Sequence, residues 1–417
     1  MLGHDYYVGR HEEVELFGSV VRGDTPHSIL NIYGPGGIGK TAVCEMIEAW
    51  CSNNKVPYAK INDDDSATEP SDKILHRLRD GCVESGGYRR CFQEFDRRFY
   101  EHLRVTDVIK RGGGIRALFD AAGKVVDPFL VRQLLTPFGI AIEGITAYFD
   151  NRDTLVRYVS GTERWLTEGL AVGLDSLAKR KHPAIVLLID GYEMMLVHDP
   201  WVCNTLVQYI PDAVKLVILG RDKLTNINPD WRDHALSGIH FYELGELGEN
   251  DAKTYLKHHD LQDEISLDRV YGFTGGYPLC LALAVQLKTE LGGWEQVDGF
   301  RSGTSKDWVA QQLLERILKQ PRTAEVQEFL EKGVVARWFD PGAISHILGV
   351  SSVQAQGIYH KMEKFSFVRK HPYGLQFHDR VRELLEERLK FMDGGEYRRL
   401  ALTWAEYLAA RAGVGGE

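Results

Sequence analysis

The period of the apolar positions changes along the chain, and the changes mark out a layered α/β domain followed by a run of helices. Ser28 to Tyr33 is a short apolar run that ends at a Gly/Pro cluster, the pattern of a buried strand entering a turn. From Lys40 onward Val43, Met46, Ile47 and Trp50 recur at helical spacing, so the glycine-rich stretch lies between a strand and a helix. Val56 to Ile61 alternates as a second strand, and Asp72 to Arg79 carries Ile74, Leu75 and Leu78 on one helical side. Ile185 to Ile189 is unbroken in its apolarity, which predicts burial on both faces, as in the middle of a parallel sheet. Lys215 to Leu219, followed by Gly220 and Arg221, repeats that layout, and Ile239 to Leu244 supplies a further strand candidate. Strands separated by helical stretches predict an α/β domain ending near Leu247.

Between the second and third strands lies a long interruption, from Gly81 to about Lys181, too long for a structureless loop within a compact domain and therefore read as mostly helical. The segment from Lys73 to Arg116, which runs into it, holds eleven basic and six acidic residues, with Gly112-Gly113-Gly114 as a flexible joint; Phe129 to Phe149 is apolar but interrupted by Arg132, Gln133, Pro137 and Glu143, and reads as insertion core. Beyond Leu247 no further parallel strand is evident. Glu249 to His259 and Leu267 to Leu291 look helical, with a break at Gly275-Gly276-Tyr277-Pro278. From Thr323 to Phe391 three helical stretches precede Phe367 to Lys370, a turn at His371 to Gly374, and Leu375 to Phe377, the order of a winged helix. Val381 to Met392 and Tyr397 to Ala410 are amphipathic helices that could open an array.

Composition narrows the class without naming it. The 417 residues suit two to four domains at roughly 150 residues each. An apolar fraction of 44 % with 26 % charged residues excludes a disordered or collagenous chain. The net charge of −9 offers no global attraction to phosphate backbones or anionic lipid, and argues against nucleic acid as a partner. The segment from Arg322 to Lys390 has eleven basic and nine acidic residues, and the would-be recognition helix Val353 to Phe365 has only Lys361 and Lys364 as cations, a weak footprint for a groove reader. Six scattered cysteines without a C-x-x-C pair fit reduced thiols and no zinc site. The N-terminus lacks a signal core, and the longest apolar run, Leu279 to Val285, is far short of the ~20 residues of a membrane span. The expected location is cytoplasmic, with no membrane contact.

The clearest chemistry lies in Gly34-Pro35-Gly36-Gly37-Ile38-Gly39-Lys40-Thr41, which satisfies G-x-x-x-x-G-K-[ST] at every position. Glycines let the backbone wrap a phosphate, so that successive N–H groups and the dipole of the following helix meet it. Lys40 then places a charge on the β- and γ-phosphates, Thr41 ligates Mg²⁺, and Ala42 continues the loop into the helix. Asp190, at the end of an apolar strand, is placed to hold the magnesium shell. Glu193 sits where a carboxylate could deprotonate the attacking water, and Arg221 where a guanidinium could read the γ-phosphate. Plain readings compete: a turn residue for Asp190, a polar loop for Glu193 and a surface cation for Arg221.

Taken in order, Val8-Gly9-Arg10, the Gly34 to Thr41 loop, the Ile185 to Asp190 strand, Arg221, Gly276-Tyr277-Pro278-Leu279 and Phe377-His378-Asp379 resemble a STAND ATPase, the signalling branch of AAA+-type P-loop proteins that includes NB-ARC and NACHT modules. The resemblance spans about Val8 to Leu389. It implies an α/β P-loop nucleotide-binding domain, a parallel sheet with helices on both faces, over 1–247 with a largely helical insertion at about 81–181. A helical lid over 248–320, a winged helix over 321–392 and the start of a C-terminal helical region over 393–417 would follow. It also implies an ATP/ADP switch with slow ATPase activity and Mg²⁺, closed with ADP and self-associating with ATP. Val8, Gly9 and Arg10 would line the base, Pro278 would pack by the adenine, and His378 would touch the β-phosphate of ADP. Phe377 stands where the family has Met, and the acid after the strand is displaced to Glu193, which puts fast hydrolysis in doubt. Alone, Pro278 is a helix breaker and His378 a hairpin residue satisfied by a neighbouring carbonyl. Sensor and effector domains are expected to be separate chains or parts of a longer protein. The alternative reading is a P-loop regulator that binds DNA through the winged helix.

Overall fold

The computed structural model describes residues 8–61, 69–110, 161–180, 184–235, 238–294, 297, 306–319, 323–365 and 367–414. The readings of Gly112-Gly113-Gly114 and of Phe129 to Phe149 lie outside these residues. The chain divides into two compact units, one made of His11–Tyr33 and Lys40–Glu243, the other of Met1–Arg10, Gly34–Gly39 and Leu244–Glu417.

The first unit is built on five parallel strands, β1 (Ile29–Tyr33), β2 (Tyr58–Ile61), β3 (Ile185–Ile189), β4 (Val214–Gly220) and β5 (Ile239–Glu243), in the order β2-β3-β4-β1-β5. Every residue of β3 is buried, as its unbroken apolarity requires. At the edge, β5 keeps only Ile239 buried and alternates toward polar residues. The order matters for chemistry, because β4 lies between β1 and β3, pairing Tyr33 with Gly220 on one side and Ile189 with Ile218 on the other. The carboxyl ends of three adjacent strands therefore carry Tyr33, Asp190 and Arg221, at the edge where open α/β sheets hold ligands.

Helices α1 (His11–Arg22) and α2 (Lys40–Asn53) pack together, with the rings of Phe17 and Trp50 edge to face at 5.2 Å. Helices α3 (Ser71–Gly86), α4 (Gln93–Lys110) and α5 (Thr162–Ala178) contribute Ile74, Leu78, Phe95, Leu170 and Leu174 to one core with the sheet, joined by Phe92 from the 3-10 turn just before α4. The described parts of the 81–181 interruption thus form part of the sheet's own packing. Helix α3 also runs seven residues beyond Arg79, straight through Gly81. Glycine is needed there for close approach, since a Cβ would lie 2.8 Å from that of Ala59 on β2.

Among its described residues the second unit is helical apart from one hairpin. Helices α6 (Glu249–His258), α7 (Glu264–Thr274), α8 (Pro278–Leu291) and α9 (Lys306–Leu318) come first, with α8 opened by Pro278 at a position where its missing N–H costs nothing. Helices α10 (Ala324–Lys332), α11 (Pro341–Leu348) and α12 (Ser352–Met362) precede the antiparallel pair β6 (Val368–His371) and β7 (Gly374–Phe377). Phe329, Phe339 and Phe377 form their aromatic core, with ring centroids 4.9 and 5.2 Å from Phe339. The strands close to a two-residue tip, Pro372 and Tyr373, tighter than the four-residue turn that the pattern predicts. Helices α13 (Asp379–Met392) and α14 (Gly394–Val414) follow and pack on each other. Among the described residues no helix is long and apolar enough to cross a membrane. All six cysteines are buried and unbridged.

Candidate functional site

The loop after β1 is held by its carbonyls. In the second unit, the Gly36 carbonyl accepts from the Tyr277 hydroxyl, that of Gly37 from the Leu279 N–H at 3.2 Å, and that of Ile38 from Arg10 Nη2 at 2.8 Å. Three consecutive carbonyls are thus each held by a donor from elsewhere in the chain. In a trans peptide the N–H points opposite to the carbonyl, so these tethers also orient the N–H groups of residues 37–39, of which that of Ile38 donates back to the Pro35 carbonyl at 3.4 Å. Gly37 and Gly39 sit at φ 89° and 98°, which side chains rarely adopt, and a Cβ on Gly37 would come within 2.9 Å of Leu279. This backbone fits a phosphate-bearing ligand, because N–H groups such as those of Gly37 and Gly39 can line an anion nest. Pro278 lies close by, its Cγ 3.8 Å from where a Cβ on Gly39 would be, and Arg10 Nη2 is equally near. The Gly276-Tyr277-Pro278-Leu279 segment and Arg10 therefore meet the loop. Gly9 is buried, Val8 is half-buried, and both Gly9 and Arg10 have positive φ. Gly34 is buried, Pro35 is exposed, and Gly36 is half-buried.

His378 is placed differently. Its N–H donates to the Phe367 carbonyl at 2.8 Å and its own carbonyl accepts from Arg382, so it stands at the start of α13, tied to the hairpin. Burial pushes the Tyr277 hydroxyl up to about 12, with Asp307 adding to the shift. Asp307 in turn takes Arg380 at 3.0 Å, which ties α13 to α9.

In the first unit, Lys40 opens α2 with its side chain buried, and Thr41 and Ala42 are partly buried behind it. Asp190 is 8 % exposed at the end of β3, with its N–H on the Ile61 carbonyl at 3.0 Å. Lys60 on β2 binds Glu48 of α2 at 2.5 Å. Burial works against the charge on Lys60, yet Cys44, Glu48 and Asp190 together hold its ammonium above the ordinary lysine range. Asp190 therefore has a cation nearby that the sequence pattern did not single out, because Lys60 reads as an ordinary polar position of an alternating strand.

Glu193 and Arg221 come together as an ion pair, Arg221 Nε donating to Glu193 Oε1 at 2.9 Å. The backbone of Glu193 is fixed by its neighbour. Tyr192 is fully buried and donates to Asp199 Oδ1 at 2.7 Å, and Asp199 also accepts from Trp231 at 2.8 Å and Asn228 at 2.8 Å. Burial drives the Tyr192 hydroxyl far above its usual range, with Asp199 reinforcing it. Asn31 does similar work in the sheet, donating to the Ile218 carbonyl at 3.3 Å and accepting from the Leu224 N–H at 3.1 Å, just beyond Arg221. Asp199 and Asn31 escaped the sequence reading because all their partners but Tyr192 are 29 to 193 residues away.

Sheet order, glycine loop and buried strand-end acid define a P-loop α/β fold with a C-terminal helical portion. Solved structures similar to the chain include a signal transduction ATPase with numerous domains (STAND) carrying a tetratricopeptide-repeat sensor, from Pyrococcus horikoshii, at TM-score 0.49 and 14 % identity. That match covers 98 % of this chain and 46 % of the other, so the chain spans about half of that structure. An ADP form of the Aeropyrum pernix ORC2 protein matches at TM-score 0.38 and 15 % identity, covering 94 % and 96 % of the two chains. The Aeropyrum pernix ORC1 protein in complex with DNA matches at TM-score 0.34 and 14 % identity, covering 92 % and 93 %. No family model and no curated protein matches the sequence. The expectation that argues against nucleic acid is corrected by the ORC1 match, a protein bound to DNA. Net charge averages over the whole chain, whereas phosphate contacts depend on one local face.

Proposed function

We propose that the chain is an ATP/ADP-binding switch module with slow ATPase activity. The observation that supports the reading is the tethering of three successive loop carbonyls, which would leave the N–H groups of Gly37 and Gly39 to a phosphate. Lys40 would place its charge on the terminal phosphates, and Thr41 and Asp190 would hold Mg²⁺. The bound metal would neutralise charge developing on the phosphoryl oxygens. Glu193 would take the proton of the attacking water, and Arg221 would bind the γ-phosphate. Val8, Gly9, Arg10 and Pro278 would line the base. We read 321–392 as a winged helix whose His378 touches the β-phosphate of ADP, so that ADP favours a resting arrangement and ATP a self-associating one.

The test is ADP dissociation from wild type and from His378→Ala, followed with a fluorescent ADP analogue. Faster release by about tenfold, the loss of one charge-assisted hydrogen bond, is expected. Identical release rates would remove His378 from the site.

A further inference from the structure

The Glu193–Arg221 pair joins the two side chains given opposite tasks in the proposed reaction, the proton acceptor and the reader of the terminal phosphate. One carboxylate oxygen is held by Arg221 Nε at 2.9 Å. The other, Oε2, is buried without a hydrogen-bond partner among the described residues, above the end of β4 and 3.6 Å from where a Cβ on Gly220 would stand. The guanidinium is the more open partner, with 35 % of its side chain exposed against 22 % for Glu193. The backbone that carries Glu193 is anchored by Tyr192, which donates to Asp199.

We propose that Glu193 sets the chain's preference between nucleoside triphosphate and diphosphate by partly neutralising Arg221. The inference rests on the nucleotide reading above and deepens it. A third phosphate has to recruit a guanidinium whose charge is already shared with a carboxylate, whereas a diphosphate does not reach it. Discrimination in favour of the triphosphate is therefore reduced below what the loop and Lys40 alone would give. The same pairing keeps the water-activating carboxylate engaged until a third phosphate draws on Arg221, which ties proton acceptance to the presence of the group to be cleaved.

The experiment is equilibrium binding of Mg-ADP and of the non-hydrolysable Mg-adenylyl imidodiphosphate to wild type, Glu193→Gln, Arg221→Ala and the double variant. Glutamine keeps an acceptor for Nε and removes the charge, so Arg221 stays oriented. Glu193→Gln is expected to tighten the triphosphate analogue by about tenfold, the size of one partly screened charge interaction, and to leave ADP unchanged. In the Arg221→Ala background the same substitution should change triphosphate affinity by less than about twofold, because coupled neighbours are non-additive. An equal gain with Arg221 absent would show simple repulsion of phosphate by Glu193 and overturn the proposal, as would no gain at all. Failure of wild type to bind ADP would instead overturn the nucleotide reading itself. Circular dichroism melts of all four proteins show whether the fold is retained.

Discussion

At the scale of single residues, the site is held by polar groups that are themselves deeply buried. Asp199 is 3 % exposed and accepts hydrogen bonds from Tyr192, Trp231 and Asn228. Replacing it by alanine leaves buried donors unsatisfied, at about 1–3 kcal/mol for each one stranded. Asp199→Ala is therefore expected to lower the urea midpoint clearly and to loosen the loop that carries Glu193, which hydrogen exchange at residues 190–194 would register as lost protection. Unchanged exchange there would show that Glu193 is placed by other contacts. The sequence offered no route to this hub, because an aspartate before a proline reads as a helix start and nothing local points to a tyrosine seven residues back.

At the scale of elements, strands and helices with strong apolar periods were legible, and those governed by long-range contact were less so. The buried β3 and β4 announce themselves by composition, and the breaks at Gly275 to Pro278 and at the hairpin tip follow from Gly and Pro chemistry. The reach of α3 beyond Gly81 did not, because glycine inside a helix is explained only by the strand it lies against. The site divided similarly. The glycine loop lies between β1 and α2, where its pattern predicts it, while the pairing of Glu193 with Arg221, 28 positions apart, needed the strand order to bring the ends of β3 and β4 side by side.

The α13–α14 pair gives a pH test at this scale. Burial opposes the charge of Glu386, but Lys390 at 2.6 Å and Tyr397 at 2.7 Å, with Arg382 at 3.3 Å, outweigh it and hold the carboxyl below its ordinary 4.5. A depressed carboxyl contributes stability above its unfolded value and loses it as pH falls through the folded value. Glu386→Gln should thus cost about 1 kcal/mol at pH 7, allowing for solvent screening, with the gap to wild type closing below pH ~4. A pH-independent gap in thermal melts would assign the loss to packing.

At the scale of the whole molecule, the account turns on one claim, that the glycine loop and Lys40 bind a nucleotide. The carbonyl tethers, the positive-φ glycines and the buried acid at the end of β3 each fit that claim independently. The signalling, hydrolytic and self-associating roles proposed here all depend on it. Its most direct test is calorimetric titration of Mg-ADP into the purified, nucleotide-stripped chain and into Lys40→Ala. Saturable binding of one nucleotide per chain is expected for wild type, and an affinity lower by roughly 10- to 100-fold for the variant, the cost of losing a charged hydrogen-bond donor to phosphate. Absence of binding to wild type, or equal affinity in both proteins, would contradict the account.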